Sequence, residues 1–319
     1  MHTGLKITII GPGAMGCLLA GYISRSGLPV SILDYKSDRA KRLSKNGIYI
    51  ETGEGNFQSF PRITADASTL GAQDAVLVLV KAGQTANALK QARPLIGEGT
   101  VVVSLQNGIG HEETLSNIAK PESIALGVTT QGATLLREGC VKHAGQGETT
   151  IGLLKAYDLS LEKLNALSRL LTSSGWPCSL ADDIFPHIWK KLLANVGVNA
   201  LAALTGIKNG DILTLEHMKR LQGLAVIKAW KVAAEKGIKI NLDLDEAVEY
   251  VRSVCTETAG NISSMLQDRI LNKPTEIDYI NGAIVRMAGK LGIDTPVNEV
   301  LSTLVKVSSA RGWKPVKPD

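Results

Sequence analysis

No stretch of this 319-residue chain is both apolar and long enough to cross a bilayer; every candidate run is cut by charged or polar residues. The amino-terminal apolar run begins almost at once, without the basic, apolar and small-residue zones of a secretory leader. Clustered lysine and arginine are missing too, and no aromatic residues interleave with basic ones, so nothing suggests nucleic-acid binding. The net charge of +5 is mild. It favours anionic small molecules at most. Cysteine is scarce: Cys17, Cys140, Cys178 and Cys255 stand far apart, with no C-x-x-C pair. That excludes a disulfide framework and a zinc site, and leads to the expectation of a reducing, cytoplasmic setting without a metal. The five histidines, His2, His111, His143, His187 and His217, lie in unrelated contexts and are expected to be structural or on the surface.

What is present is an ordinary globular composition, 44% hydrophobic and 20% charged, over a length that suits two domains. Near the start a β-rich run, Leu5–Ile10, leads into Gly11-Pro12-Gly13-Ala14-Met15-Gly16 and then a helical pattern through Ile23. A second β-rich run ends in Asp34. A glycine motif alone is weak, but strand, G-x-G-x-x-G, helix, strand, acid is the sequence of a dinucleotide-binding βαβ unit. Gly11 permits the turn, Gly13 lets backbone N–H groups approach a pyrophosphate, and Gly16 lets the helix pack against the strand. Asp34 stands where an acid bonds the ribose 2′-hydroxyl of NAD, yet Lys36 and Arg39 follow and suit the 2′-phosphate of NADP. The residues point both ways.

The α/β pattern continues. Asp74–Val80 reads as a parallel strand buried on both faces, and Lys81 follows at its carboxyl edge, where doubly wound sheets bind ligands. Thr100–Leu105 is another such strand, followed by Gln106-Asn107-Gly108. Asn107 is thereby a candidate contact for nicotinamide or substrate, although Asn-Gly is also simply a common turn. From Thr129 to Gly152, glycines punctuate short β-rich pieces that read as antiparallel strands added to the parallel sheet. A helix over 160–172 and a strand over 176–180 close this domain, with the boundary at Asp182.

Helical spacing dominates afterwards. The pattern predicts helices over 184–204, 215–236, 244–252, 277–291 and 297–309, and no strand. In the first of them Lys191, Asn195 and Asn199 follow one another at four-residue steps among apolar and small residues. Such spacing keeps them on one face. A buried ammonium needs compensation, so the stripe reads as the wall of a polar pocket, or as a snorkelling lysine beside amides that cap backbone. A second polar cluster runs from Glu257 to Asp268. It is followed by a break at Pro274-Thr275 and by Glu276, an acid equally suited to capping the next helix. The active site is expected where pockets preferentially form, at the meeting of the two domains.

Taken together, the glycine motif, Gln106-Asn107-Gly108, Trp189-x-Lys191-Leu192-x3-Asn195-x3-Asn199, Asn261-x-x-Ser264-Met265-Leu266-Gln267-Asp268 and Glu276-Ile277-Asp278-Tyr279-Ile280-Asn281-Gly282 resemble the ketopantoate reductase (2-dehydropantoate 2-reductase) family over nearly the whole chain. The resemblance implies an α/β protein: a Rossmann-type NAD(P)-binding domain with added antiparallel strands over 1–182, and a helical domain like the carboxyl-terminal domain of 6-phosphogluconate dehydrogenase over 183–319. It implies NADPH-dependent reduction of 2-dehydropantoate to (R)-pantoate. Lys191 would be the proton donor and Glu276 its acidic partner, with Asn107, Asn195, Asn199, Asn209, Asn261 and Ser264 around the substrate. Cofactor contacts would fall on Gly11 through Gly16, Lys81, Asn107 and Ala133, beside Asp34 and Lys36, which the βαβ pattern itself offers, and Glu276. Some family members carry an arginine where this chain has Asp34, which leaves NADH open beside NADPH. Two other readings stand next to this one: a related two-domain dehydrogenase for another 2-keto or 3-hydroxy acid, and a non-catalytic nucleotide sensor. The expected partner is a small molecule, with no nucleic acid or membrane, and the apolar helices suit pairing as a homodimer.

Overall fold

The computed structural model describes residues 4–311, so His2 lies outside the described residues. The chain divides into two compact units, one running to Gln106 and resuming over His111–Ile184, the other comprising Asn107–Gly110 and the chain from Phe185 onward.

Among the described residues the first unit contains twelve strands: β1 (Ile7–Ile10), β2 (Ser31–Leu33), β3 (Ile48–Glu51), β4 (Phe57–Ser59), β5 (Arg62–Thr64), β6 (Ala75–Val78), β7 (Val101–Ser104), β8 (Ile124–Thr129), β9 (Gly132–Arg137), β10 (Cys140–Gly145), β11 (Thr149–Leu153) and β12 (Cys178–Leu180). Its helices are α1 (Ala14–Arg25), α2 (Ser37–Asn46), α3 (Thr85–Gln91), α4 (His111–Leu115) and α5 (Asp158–Ser173). The main sheet has the order β12-β11-β8-β7-β6-β1-β2-β5. From β8 to β5 all neighbours are parallel, whereas β11 runs antiparallel to β8. β1, β6 and β7 are buried at every position, which is why their sequences are unbroken runs of aliphatic residues with little polar content.

A second sheet, β4-β3-β10-β9, covers α1 on the side away from the main sheet. The sequence pattern anticipates only one sheet, enlarged by antiparallel strands. The structure assigns β11 to that sheet and sends β9 and β10 to the other, where β10 pairs with β9 and with β3. The reason lies in α1, seven of whose twelve residues are buried, so one sheet face cannot cover it. Where the sheets' cores meet, the buried Trp176 donates its indole N–H to Thr149 Oγ1 at 2.8 Å, and Thr149 donates in turn to Thr129 Oγ1 at 2.9 Å.

The second unit is helical: α6 (Phe185–Thr205), α7 (Asp211–Thr214), α8 (Glu216–Glu235), α9 (Leu244–Glu257), α10 (Ser264–Ile270), α11 (Asn281–Leu291) and α12 (Pro296–Arg311). α6 is its axle. Twelve of its 21 residues are buried, and α8, α9, α10 and α12 all pack on it. α9 starts with a full capping box, Asp243 accepting from the Glu246 N–H and Glu246 from that of Asp243. The helix expected over 277–291 is interrupted. A 3-10 turn covers Ile277–Tyr279, Ile280 leaves helical geometry at φ −113° and ψ −102°, and α11 starts only at Asn281. At the break the Tyr279 carbonyl accepts from Ile109 N–H at 3.0 Å. None of the described helices is long and apolar enough to cross a membrane.

The Thr149 hydroxyl serves two buried partners at once, so Thr149→Val removes both bonds and takes the acceptor from the buried Trp176 indole N–H while keeping the shape. Urea unfolding is expected to show a loss of about 1–3 kcal/mol for the valine variant. Thr149→Ser, which keeps the hydroxyl, should recover most of it; equal losses would argue that packing alone holds this corner.

Candidate active site

The cradle in the first unit follows from steric exclusion. A side chain at Gly16 would put its Cβ 2.0 Å from the Gly11 carbonyl oxygen, so only glycine lets α1 start this close to β1. Gly13 precedes the helix, is exposed, and has open space where a Cβ would lie. α1 has neither a capping side chain nor an acid in its first turn. An uncapped helix start with open space before it fits the pyrophosphate of a dinucleotide. Pro12 is buried beneath the turn, with Ala14 and Met15 partly exposed above it. Lys81, half-buried, leads into a short 3-10 turn after β6, and Ala133 is the second residue of β9.

Asp34 is fully buried. Arg39 donates to it from two nitrogens, Nε to Oδ2 at 2.6 Å and Nη2 to Oδ1, and the Lys36 backbone N–H adds a third bond at 3.1 Å. This hydrogen bonding raises the Arg39 pKa, working against burial of the guanidinium. Beside the pair, the exposed Tyr35 ring lies 5.0 Å from the Arg39 guanidinium and 5.4 Å from Lys36 Nζ. An aromatic face and two cations thus stand at the end of β2, with the acid beneath them already engaged.

In the second unit the candidate catalytic pair meets through an amide. Lys191 Nζ donates to Asn107 Oδ1 at 2.9 Å, and Asn107 Nδ2 donates to Glu276 Oε2 at 3.3 Å. The amide has one workable orientation, because an ammonium can only donate and a carboxylate only accept. Glu276 is buried and makes no capping bond to the turn that follows it. Burial pushes the Lys191 ammonium down to about 8, and the Glu276 charge resists that shift. The site therefore holds a lysine whose proton is both present and easily given up near neutral pH.

Asn195 and Asn199 follow Lys191 along α6, Asn195 half-buried and Asn199 buried. Asn209 belongs to a second cluster. Its N–H donates to the Asn261 carbonyl at 3.0 Å, and its Nδ2 donates to Thr258 Oγ1 at 3.0 Å. Ser264 is exposed at the first turn of α10, just after the capping Ser263. Among the described residues, Asn195 Nδ2 and Asn209 Oδ1 are buried with no hydrogen-bond partner. One is a donor and the other an acceptor. Thr258 lies in the polar run from Glu257 to Asp268, but just outside the Asn261-x-x-Ser264 motif, so the sequence does not single it out. The grip of Arg39 on Asp34 had a signal, an acid and a base five residues apart, but one equally suited to separate roles.

Comparison with known proteins agrees with both units. The model of "Ketopantoate reductase PanE/ApbA" matches residues 7–156, and that of its C-terminal counterpart matches residues 183–309. The 2-dehydropantoate 2-reductase of Halobacterium salinarum is 30% identical over 97% of this chain and 100% of its own length. That of Pyrococcus horikoshii is 31% identical, covering 97% and 99%. A solved structure of D-mandelate dehydrogenase with NADH and anilino(oxo)acetate has a TM-score of 0.89 at 29% identity, covering 96% of this chain and 99% of that one.

Because the Glu276 charge holds the Lys191 pKa up, Glu276→Gln should let it fall further below about 8. The pH dependence of Lys191 acylation, read by mass spectrometry, measures this directly. A midpoint that stays put or rises would show that the carboxylate does not act on the lysine.

Proposed function

The chain belongs to the ketopantoate reductase family, and on that footing we propose that it reduces the C2 ketone of 2-dehydropantoate to give (R)-pantoate with NADPH, a step toward pantothenate. The hydrogen-bonded series Lys191–Asn107–Glu276 carries this reading. A bound reduced nicotinamide supplies the hydride to C2. As hydride arrives, negative charge develops on the ketone oxygen, and the Lys191 ammonium is the group to stabilise it and hand over a proton. With a pKa of about 8, Lys191 is protonated at pH 7 by about ten to one. Glu276 keeps that charge favourable, and Asn107 fixes the direction in which Nζ points.

The substrate choice is supported by two of the orphaned amide atoms, those of Asn195 and Asn209. A buried unpaired donor or acceptor costs about 1–3 kcal/mol. Asn195 Nδ2 offers a donor and Asn209 Oδ1 an acceptor for polar groups of a substrate. 2-Dehydropantoate carries a hydroxyl beside its ketone and carboxylate; Asn199, Asn261 and Ser264 complete the polar set. The likeness to D-mandelate dehydrogenase favours a second reading, in which the substrate is a 2-keto acid lacking that hydroxyl. Such a substrate leaves the Asn209 acceptor unmatched.

NADPH is favoured because Arg39 already neutralises Asp34, so the acid does not repel a 2′-phosphate, and Lys36 stands exposed beside it. In this arrangement Asp34 positions Arg39 rather than binding ribose. Four free thiols, three of them buried, suit a reducing cytoplasm.

Initial rates with 2-dehydropantoate and with phenylglyoxylate, each with NADPH and NADH, test the reading, and the hydroxylated substrate with NADPH should be fastest. Lys191→Ala should lower kcat by about 10³-fold while leaving nucleotide affinity unchanged; near-normal turnover excludes Lys191 as the proton donor. Arg39→Ala should weaken NADPH binding by about tenfold and NADH binding less, as followed by nicotinamide fluorescence. Equal losses for the two nucleotides would remove Arg39 from the 2′-phosphate site.

A further inference from the structure

Asn107 reaches Lys191 and Glu276 from a four-residue segment, Asn107–Gly110, that packs with the helical unit although the chain on both sides of it belongs to the other. Two features hold the segment down. Ile109, itself buried in the helical core, donates its N–H to the Tyr279 carbonyl at 3.0 Å. Gly108 lies flat against the same carbonyl, where a Cβ would come within 2.2 Å of the oxygen and 2.8 Å of the Tyr279 Cβ. Those neighbours are backbone in a tight turn and cannot swing aside. Tyr279 ends the 3-10 turn, one residue before Ile280 leaves helical geometry. Tyr279 stands three residues after Glu276, so the turn that presents Glu276 is also the seat of the segment that presents Asn107.

We propose that Gly108 is a positioning residue of this site: its missing side chain lets Asn107–Gly110 seat on the Tyr279 carbonyl, and that seat holds the Asn107 amide between Lys191 and Glu276. The proposal rests on the reductase reading for its kinetics but not for its geometry. It gives a purpose to the interruption before α11, which an uninterrupted helix would lack. It also assigns to the Asn-Gly pair a task that neither residue performs alone. Asn107 supplies the amide, and Gly108 supplies the approach.

Gly110 provides a matched control. Its φ of +93° is nearly that of Gly108 at +90°, but a Cβ there meets nothing within 4 Å. Gly110→Ala therefore carries the same backbone strain without the clash. Gly108→Ala should lower kcat by about 10²-fold, the size expected when a catalytic group is misplaced by about 1 Å, with Gly110→Ala losing far less. In an Asn107→Ala background, Gly108→Ala should cost less than about twofold more, because its effect passes through the amide. Independently of substrate, the acylation rate of Lys191 should rise several-fold in Gly108→Ala and in Asn107→Ala, and no further in the double variant. Losses that add in the double variant, equal losses at Gly108 and Gly110, or unchanged Lys191 acylation overturn the proposal. Should Gly108→Ala not fold, amide exchange of Ile109 in the wild-type protein decides, since an unprotected Ile109 N–H is incompatible with the seat. If wild-type protein fails to reduce 2-dehydropantoate, the acylation and exchange results still judge the seat, and the substrate reading fails separately.

Discussion

Placing the Lys191 ammonium among apolar helices sets the terms on which the helical unit is built. A buried cation without compensation loses its proton or forces the structure open. Glu276 supplies the opposing charge, and the Asn107 amide transmits it by accepting from one group and donating to the other. The amide thus bridges the two charged groups. Burial lowers the lysine's affinity for its proton and the Glu276 charge restores part of it. The pKa of about 8 is what this compromise looks like.

Much of the surrounding architecture follows from bringing those three side chains together. Lys191 comes from α6, the most contacted helix of the unit. Glu276 comes from the turn after a proline, and Asn107 comes from the far side of the chain, just past the end of β7. Helical continuity is given up at Ile280, and the preceding carbonyl faces Ile109. Backbone irregularity of this kind is usually unfavourable, and it gathers at functional sites where surrounding packing enforces it. In the nucleotide unit the comparable constraint is the approach of α1 to β1, possible only with glycine at position 16. Covering the far side of α1 then requires the second sheet.

Under the proposed NADPH reading, the Asp34–Arg39 pair puts one charge to a different end from the one its position suggests. An acid at the end of the second strand is usually read as a ribose ligand. Here it is buried and accepts from a guanidinium and a backbone N–H. Whether a carboxylate attracts a hydroxyl or orients a cation depends on what lies within about 3 Å of it, which spacing along a chain does not encode.

The amino-acid sequence by itself determined the parallel β-sheet, the glycine cradle, the helical character of the second half and the stripe from Lys191 to Asn199. These are local matters, because strand and helix periodicity and the steric needs of a turn are written in neighbouring residues. Asn107 and Glu276 were also visible as candidates, each with an equally ordinary local explanation as a turn residue or a helix cap. Only the tertiary structure decided that they meet across 169 residues, that β9 and β10 leave the main sheet, that the last long helical pattern breaks at Ile280, and that Gly108 is bounded by the Tyr279 carbonyl. The reason is physical. A hydrogen bond between distant segments depends on how whole elements pack, and packing is settled by the burial of many side chains at once, whereas any one residue's neighbours in the chain report only its own backbone preference.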